Sequence, residues 1–488
     1  MHLMPLRPTP RGCPDLLLPE IGPLKRYLLH LLVLPLLLGA GGILGPGFAE
    51  AQVQDSIPGV RLGLLYESSF RPALAVKPFE GRFGGSGTAP RVEAIVARDL
   101  RYSDRFEMLD SLPSSVVGRP GVDYGLWDDL GAVWVLAGQV EGAGEGFVLV
   151  VELHDVVYGE VRERARFRLP EPDEEGFRMA VHQVSDQVVE WVFDEPGMAA
   201  SRIAFTRRFD DGTQEIYVID SDGENLRRIT RFEDLTLSPA WSPDGTRLSF
   251  VSYRSGDPEL YEMDLTTGED RMIDTGESGQ PITPRYHPDG RHLAFALVGG
   301  ERPGIFTYDL LEECCLRRVT GGRWDDLSPS YSPDGGQMAF NSNRLGVGTP
   351  QIYVMPSDGG EPDLLSPYVY GEGGYFTSPD WSPTGDRVAF HGRIDRGRYH
   401  ILVADLEDGG RRVLQLTAEG NNEDPRWAPD GRHLVFVGER SYGSGLFVVD
   451  AATGRIRTLL GGMRVRVPDW SSSLSGEGLD RILGSGSR

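Results

Sequence analysis

One short phrase returns six times in the second half of this chain, and it constrains the fold more than any other feature. The copies are 239–245 (PAWSPDG), 284–290 (PRYHPDG), 329–335 (PSYSPDG), 379–385 (PDWSPTG), 425–431 (PRWAPDG) and a shortened 468–472 (PDWSS). Their aromatic steps, Trp241, Tyr286, Tyr331, Trp381, Trp427 and Trp470, lie 45, 45, 50, 46 and 43 residues apart. A period of that size marks a repeat array with one supersecondary unit per repeat. Within a unit the aromatic ends a strand and Ser-Pro-Asp-Gly turns the chain. Pro presets φ, Asp tolerates the bend, and Gly takes the positive φ that other residues resist. Alternating strands follow at 247–252 (RLSFVS), 259–264 (ELYEMD) and 270–273, which makes four strands per unit.

The two ends of the array are complementary. Residues 201–230 carry the last three strands of a unit and no leading Pro-x-Trp strand, whereas 467–474 carry the leading strand and nothing after it. Pairing the last strand with the first unit closes a ring and removes an exposed sheet edge. The expected fold is therefore an α/β N-terminal domain followed by an all-β six-bladed β-propeller. The recurrent Trp or Tyr is expected in the core, where a large ring fills the wedge between neighbouring sheets. The Asp of Pro-Asp-Gly is a turn former, and Thr384 replaces it in one copy.

Ahead of the array the signal is mixed. Residues 60–66, 74–79, 105–109, 132–139 and 147–156 read as strands, and 92–102 and 177–193 as helices with Ile95, Val96, Leu100 and Val181, Val184, Val188, Trp191 on their apolar faces. The Gly-rich stretch 83–90 lacks the Gly-Lys-Ser/Thr of a phosphate cradle and reads as a loop. The first residues read as an address: Lys25-Arg26, an apolar run over 27–38, and Ala49-Glu50-Ala51 as a small-x-small cleavage site. The expected division is a secretory signal over 1–51, a flexible arm over 52–59, an α/β domain over 60–196, the propeller over 197–474 and a flexible tail over 475–488. An exported protein is implied.

With 72 acidic against 49 basic residues, a net charge of −23 argues against nucleic acid as a partner. Lys25 and Lys77 are the only lysines, and arginine supplies the remaining basic side chains. The three cysteines, Cys13, Cys314 and Cys315, have no metal or redox spacing; the adjacent pair is expected as two thiols. No Gly-x-Ser-x-Gly elbow occurs, and the 18 residues past Trp470 are too few for a peptidase domain.

At this point the repeat, taken with the N-terminal region, resembles the TolB family. The residues that carry the resemblance are 74–79 (LAVKPF), 95–100 (IVARDL) with Ser103 and Phe106, Trp127 with Gly131-Ala132, Gly138, 153–156, 180–188 (AVHQVSDQV), 197–205 (GMAASRIAF) and 467–471. The resemblance implies a non-catalytic, monomeric periplasmic scaffold with no cofactor and no bound metal. It implies a peptidoglycan-associated lipoprotein as partner at the propeller mouth. It also implies inner-membrane TolA-like partners for the N-terminal arm and domain, and a role in outer-membrane integrity and constriction at cell division. The mouth residues it implies precede each Pro-x-Trp: Leu237, Ser238, Ile282, Thr283, Leu327, Ser328, Tyr375, Phe376, Thr377, Ser378, Glu423, Asp424 and Arg466, with Val467 following.

Tyr368, Tyr370, Tyr375 and Phe376 stand on a Gly-rich loop, either as interface anchors or as cover for the next blade. Two other functions stay open. A metal-dependent sugar lyase on a similar propeller would need several of His287, His292, His391, His400 and His433 to converge, and their differing strand offsets argue against that. A propeller with an unrelated protein partner is the other. Asp325-Asp326 and 421–424 could hold a cation at the mouth, although solvated rim charge is the preferred reading.

Overall fold

The computed structural model describes residues 61–63 and 70–474, apart from 175, 302, 347, 368–373, 394–396, 408–411 and 442. The signal, arm and tail expected from the sequence, and Tyr368 and Tyr370, lie outside the described residues. No helix among the described residues is long and apolar enough to cross a membrane.

Six sheets follow one another as blades, each with four antiparallel strands and one of them, blade five, extended by a fifth. Their innermost strands are 465–470 (blade one), 236–241, 280–286, 326–331, 375–381 and 421–427 (blades two to six). Each innermost strand abuts that of the next blade, and the strand of blade two abuts that of blade one, so the ring closes. Closure is made by Val465–Trp470, which pairs antiparallel with Arg202–Arg208 in the register Val465↔Arg207 and Trp470↔Ile203. All six repeat aromatics are buried. The turns also form as the sequence implies: Gly245 has φ 68°, and Asp244 accepts hydrogen bonds from the Ser242 hydroxyl (2.6 Å) and Thr246 N–H.

The unspecified residue of each Pro-x-Trp decides the channel. Arg285, Ser330, Asp380, Arg426 and Asp469 meet across it. Arg285 donates to Asp469 at 2.6 Å and to Asp380 at 2.7 Å, and Arg426 lies 3.8 Å from Asp469 and 3.9 Å from Asp380. The carboxylates also accept backbone N–H groups from Trp241 (2.7 Å, on Asp469) and Trp427 (2.8 Å, on Asp380). Two cations and two anions thus neutralise one another where water is scarce, and further hydrogen bonds satisfy their remaining lone pairs. Burial depresses the Arg426 guanidinium, with Arg285 adding to the effect, whereas Asp469 and Asp380 hold Arg285 up against its own burial. A cavity of about 240 Å³, lined by Trp241, Ser242, Asp380 and Asp469 among others, lies at the turn end of the channel.

The N-terminal domain is built on a sheet of β2 (Ala73–Val76), β3 (Glu80–Arg82), β4 (Glu107–Met108), β5 (Trp134–Gly142), β6 (Phe147–Asp155) and β7 (Glu160–Leu169). The order is β4-β2-β5-β6-β7, with β3 also on β5. Helices α1 (Ala89–Tyr102) and α4 (Phe177–Phe193) bury Val92, Ile95, Val96, Leu100, Val181, Val184 and Val188 against one face. Short helices α2 (Ser114–Val117) and α3 (Tyr124–Asp129) lie by the other face, where Trp127 is buried. The Gly-rich loop ahead of α1 packs tightly: a Cβ on Gly85 would come within 2.3 Å of the Val140 carbonyl oxygen.

Three findings depart from the sequence reading. Strand β1 (Arg61–Gly63) pairs parallel with Arg412–Gln415 at the outer edge of blade five, not with the N-terminal sheet. Strand β7 is unanticipated, because its charged residues hide the alternation. Cys314 and Cys315 are joined by a disulfide rather than standing as two thiols.

The domain rests on the turn face of blades one and six through buried charge. His182 on α4 contacts Asp99 of α1 at 2.7 Å and lies 3.9 Å from Asp220 of blade one. Arg178 binds Asp220 and Asp222. On blade six, His433 contacts Asp430 at 2.6 Å and Asp104 of the N-terminal domain at 3.6 Å, and Arg455 reaches Asp104 at 2.9 Å. Asp186 accepts the N–H groups of Ala199 and Ala200 at 2.7 and 2.8 Å, which pins the linker between α4 and the first blade.

Two predictions follow from this packing. Asp469→Asn strips the charge that faces Arg285 and weakens the acceptor of Trp241 N–H. It is expected to lower unfolding free energy in urea by about 3 kcal/mol, the scale of breaking a buried pair. Asp173→Asn, at the exposed pair that Asp173 makes with Arg91 at 3.3 Å, is expected to leave it unchanged within error.

The second concerns pH. Burial alone would depress His182 and His433, but Asp99 and Asp430 respectively outweigh it and push both up to about 9 from 6.5. Burial pushes Asp186 up to about 7 from 3.8 against the pull of its two N–H donors. Each group therefore binds its proton more tightly folded than unfolded, and stability falls as pH rises. The histidine contribution is complete below pH 6.5 and is lost as pH rises through about 9. The thermal midpoint is expected to drop between about pH 6 and pH 9, and His182→Gln to shrink the drop. A midpoint that climbs across that interval would contradict the assignment.

Candidate docking rim

At the end of the channel away from the N-terminal domain, every innermost strand does the same unusual thing. The residue before proline takes a left-handed backbone: Ser238 (φ 54°), Thr283 (50°), Ser328 (56°), Ser378 (53°), Asp424 (55°) and Val467 (45°). The strand register breaks at each of these points, between Leu237 and Ala240, Ile282 and Arg285, Leu327 and Ser330, Thr377 and Asp380, Glu423 and Arg426, and Arg466 and Asp469. These are β-bulges, which re-aim side chains and end pairing. A positive φ costs roughly 1–3 kcal/mol at a non-glycine residue and persists only where the surroundings over-determine it. For the β-branched Thr283 and Val467 it is a true outlier.

Neighbouring blades supply the restraint. Ser238 N–H donates to the Thr206 hydroxyl (3.3 Å), Ser328 N–H to the Thr283 hydroxyl (3.2 Å), Asp424 N–H to His391 Nδ1 (3.0 Å) and Val467 N–H to Asp424 (3.3 Å). Ser378 donates its hydroxyl to Asp424 at 3.0 Å. The strained residues are thus held blade to blade. An N–H donating to Nδ1 requires that nitrogen to be unprotonated. Burial, helped by Arg426 and Arg466 and opposed by Asp424, lowers His391 to about 4, which keeps the ring neutral and able to accept.

The residues expected at the mouth are brought to this rim, with one exception. Leu237, Ser238, Ile282, Thr283, Leu327, Ser328, Thr377, Ser378, Glu423 and Asp424 are half-buried, and Arg466 is exposed. Thr377 donates to Asn341 at 2.9 Å, and Glu423 pairs with Arg466 at 2.7 Å. Tyr375 is half-buried, edge-on to Tyr399 with centroids 5.6 Å apart, and Arg393 lies over both rings. Phe376 is the correction. It is 1% exposed, meets Phe390 edge-on at 5.8 Å and fills the space above Gly392, where a Cβ would collide with its ring. Its strand neighbour Tyr375 faces the other way, so alternation sends Phe376 into the core of blade five. A groove of about 250 Å³ between blades six and one is lined by Arg208, Glu423, Glu439, Arg464 and Arg466.

Sequence reasoning missed the rim-supporting role of His391, missed Tyr399 and Arg393 beside it, and missed the channel charges Arg285, Asp380, Arg426 and Asp469. A signal for the latter was present: charged types at a position that the repeat forces inward.

The propeller histidines occupy separate places. His287 and His292 flank Asp289 at a turn of blade three, His391 supports the rim, His400 begins a strand of blade five, and His433 meets the N-terminal domain. His287, Asp289 and His292 bring three possible metal-ligand atoms within 4.8 Å of one another, as do Asp99, His182 and Asp222, and Asp104, His433 and Asp450. In the last two groups Arg178 already pairs with Asp222, Arg432 with Asp450 and Arg455 with Asp104. Asp326 is paired with Arg344 at 2.8 Å, and Asp325 accepts from Asn343.

Similarity to known proteins agrees with this architecture. A family model described as the TolB beta propeller domain matches residues 189–474, and one described as the TolB amino-terminal domain matches 68–161. The Tol-Pal system protein TolB of Methylococcus capsulatus is 32% identical over 207 residues, 41% of this chain and 47% of that protein. That of Xanthomonas oryzae pv. oryzae is 33% identical over 241 residues, 47% of this chain and 52% of that protein. The chain thus spans about half the length of the curated relatives it matches. The crystal structure of TolB from Acinetobacter baumannii superposes with a TM-score of 0.70 at 26% identity, covering 83% of this chain and 97% of that one. With a propeller model matched over more than half its length, an amino-terminal model matched ahead of it, and the closing strand in place, the chain belongs to the TolB family.

Proposed function

We propose that this protein is a non-catalytic, monomeric periplasmic scaffold of a Tol-Pal envelope system, and that its rim docks one folded partner, a peptidoglycan-associated lipoprotein. The names of its relatives support membership of that system. The observation that carries the docking reading is the ring of six left-handed pre-proline residues, all at the end of the channel that the N-terminal domain leaves uncovered. Strain held in register by neighbouring blades is a form of preorganisation: a partner that meets the rim finds it already ordered, and little freedom is lost on binding. The chemistry of the rim suits a protein surface. Leu237, Ile282 and Leu327 offer apolar contacts, Tyr375 an aromatic one, and Glu423, Asp424 and Arg466 set orientation by charge. An interface of ordinary size would bury on the order of 1,600 Å² in total.

In this reading the arm at 52–59 and the N-terminal domain engage inner-membrane, TolA-like partners. The assembly then serves outer-membrane integrity and constriction at cell division. The buried contacts of His182, Asp186 and His433 join that domain to the blades and form the path by which rim occupancy would reach it.

The test is direct. The purified soluble domain of the peptidoglycan-associated lipoprotein from the same organism is titrated by calorimetry into the wild-type protein and into the Leu237→Glu/Glu423→Arg double variant. Affinity is expected to fall at least tenfold, about 1.4 kcal/mol. Because both side chains are half-exposed, the thermal midpoint should stay near the wild-type value. Unchanged affinity in a folded double variant would remove the rim from the docking surface.

A further inference from the structure

We propose that β7 of the N-terminal domain is a second docking site, which binds an extended acidic segment of a partner protein as an added strand. Strand β7 reads EVRERARFRL over Glu160–Leu169 and lies at the end of the sheet, paired only with β6 among the described strands. Its other side therefore presents an unpaired row of backbone N–H and C=O groups, the template on which a further strand can form.

The side chains of β7 divide by face. Ala165 and Phe167 stand opposite Val151 and Leu149, on the face that α1 and α4 cover. Arg164, Arg166 and Arg168 stand opposite Glu152, Val150 and Val148 on the face away from α1 and α4, and Arg162 lies at a β-bulge just ahead of them, between Val161 (opposite His154) and Glu163 (opposite Leu153). All four arginines are exposed. Arg164 pairs with Glu152 at 3.2 Å, whereas Arg162, Arg166 and Arg168 have no ion pair among the described residues. At the turn that leads into β7, Val157 and Tyr158 are 68% and 78% exposed and Val161 is 45% exposed, so an apolar patch adjoins the basic stripe.

On a chain of net charge −23, three arginines on one strand face, with Arg162 at the adjoining bulge, form a basic stripe. The spacing selects the occupant. Alternate residues of a strand repeat about every 6.6–6.8 Å. Carboxylates at alternate positions of an added strand would repeat at the same interval, each within cross-strand reach of an arginine. An anionic lipid surface could use the charge but not the open row of amides. That is why the geometry favours an extended acidic peptide over a membrane.

The test uses the full mature chain and three probes at low and moderate salt: a ten-residue peptide alternating Glu with Val, the same peptide with two central Val replaced by Pro, and phosphatidylglycerol vesicles. Fluorescence anisotropy is expected to show binding of the alternating peptide, at least tenfold weaker for the proline peptide, and weaker as salt rises. The Arg162→Glu/Arg166→Glu/Arg168→Glu variant is expected to lose at least tenfold, and hydrogen exchange of wild-type amides at 160–169 to slow when the alternating peptide is present. The Leu237→Glu/Glu423→Arg rim variant should bind the peptide as wild type does, so failure here and failure of the rim reading are distinguishable. Equal binding of the two peptides would overturn strand addition. So would unchanged exchange at 160–169, or capture of vesicles without the alternating peptide. No binding of any probe would leave the arginines as guards of an open edge, and would equally overturn the proposal.

Discussion

Asp469 is the residue on which the ring depends. It sits on the closing strand, yet its carboxylate reaches past its own blade to the Trp241 N–H of blade two and the Arg285 guanidinium of blade three. The end of the chain is therefore held both by the ladder to Arg202–Arg208 and by charge inside the channel. A ring of sheets has one seam, and opening the seam would expose two strand edges at once. Placing a buried carboxylate there, with several donors, makes partial opening costly. An unpaired charge in a dry channel is far worse than a paired one.

The same channel divides the two faces of the propeller. One face receives the N-terminal domain through Asp220, Asp222, Arg432, His433 and Arg455. The other face carries the six strained pre-proline residues. The two faces are connected physically because a single strand runs between them in each blade: Glu423 and Asp424 at the rim, Arg426 in the channel and Trp427 in the core are near neighbours in sequence. Shifts of the rim would reach the N-terminal domain through blades one and six, where Leu474 accepts from Gln183 and His433 meets Asp104. Packed, fully bonded strands transmit such shifts better than loops would.

How much of this was legible beforehand differs by residue. The blade count, the turns and the closing strand were readable because Pro-x-Trp and Pro-Asp-Gly each have a local conformational reason that no tertiary context overrides. The positions before each Pro-x-Trp were named from the family resemblance, and their bulged, left-handed backbone appeared only in the structure. Phe376 was misplaced, since it occupies the position of Thr236, Pro281, Asp326, Asn422 and Val465, which is buried in every blade. Strand β7 escaped notice because arginine every second residue looks like a solvated loop until a partner strand, β6, supplies the apolar face. Strand β1 was assigned to the wrong sheet: three residues, Arg61–Gly63, carry no information on which edge they will find.

The sequence by itself determined the repeat, the aromatic wedge between blades and the complementarity of the chain's two ends, because each is a matter of spacing and of backbone preference. Tertiary structure alone decided which charges meet. Arg285, Asp380, Arg426 and Asp469 are 43 to 184 residues apart along the chain and become neighbours only when six strands converge on one axis. The left-handed φ recurs at the residue before each Pro-x-Trp or Pro-x-Tyr, but what restrains it at Val467 is not local. Asp424 of the adjoining blade holds its N–H, and that neighbour is supplied by the ring.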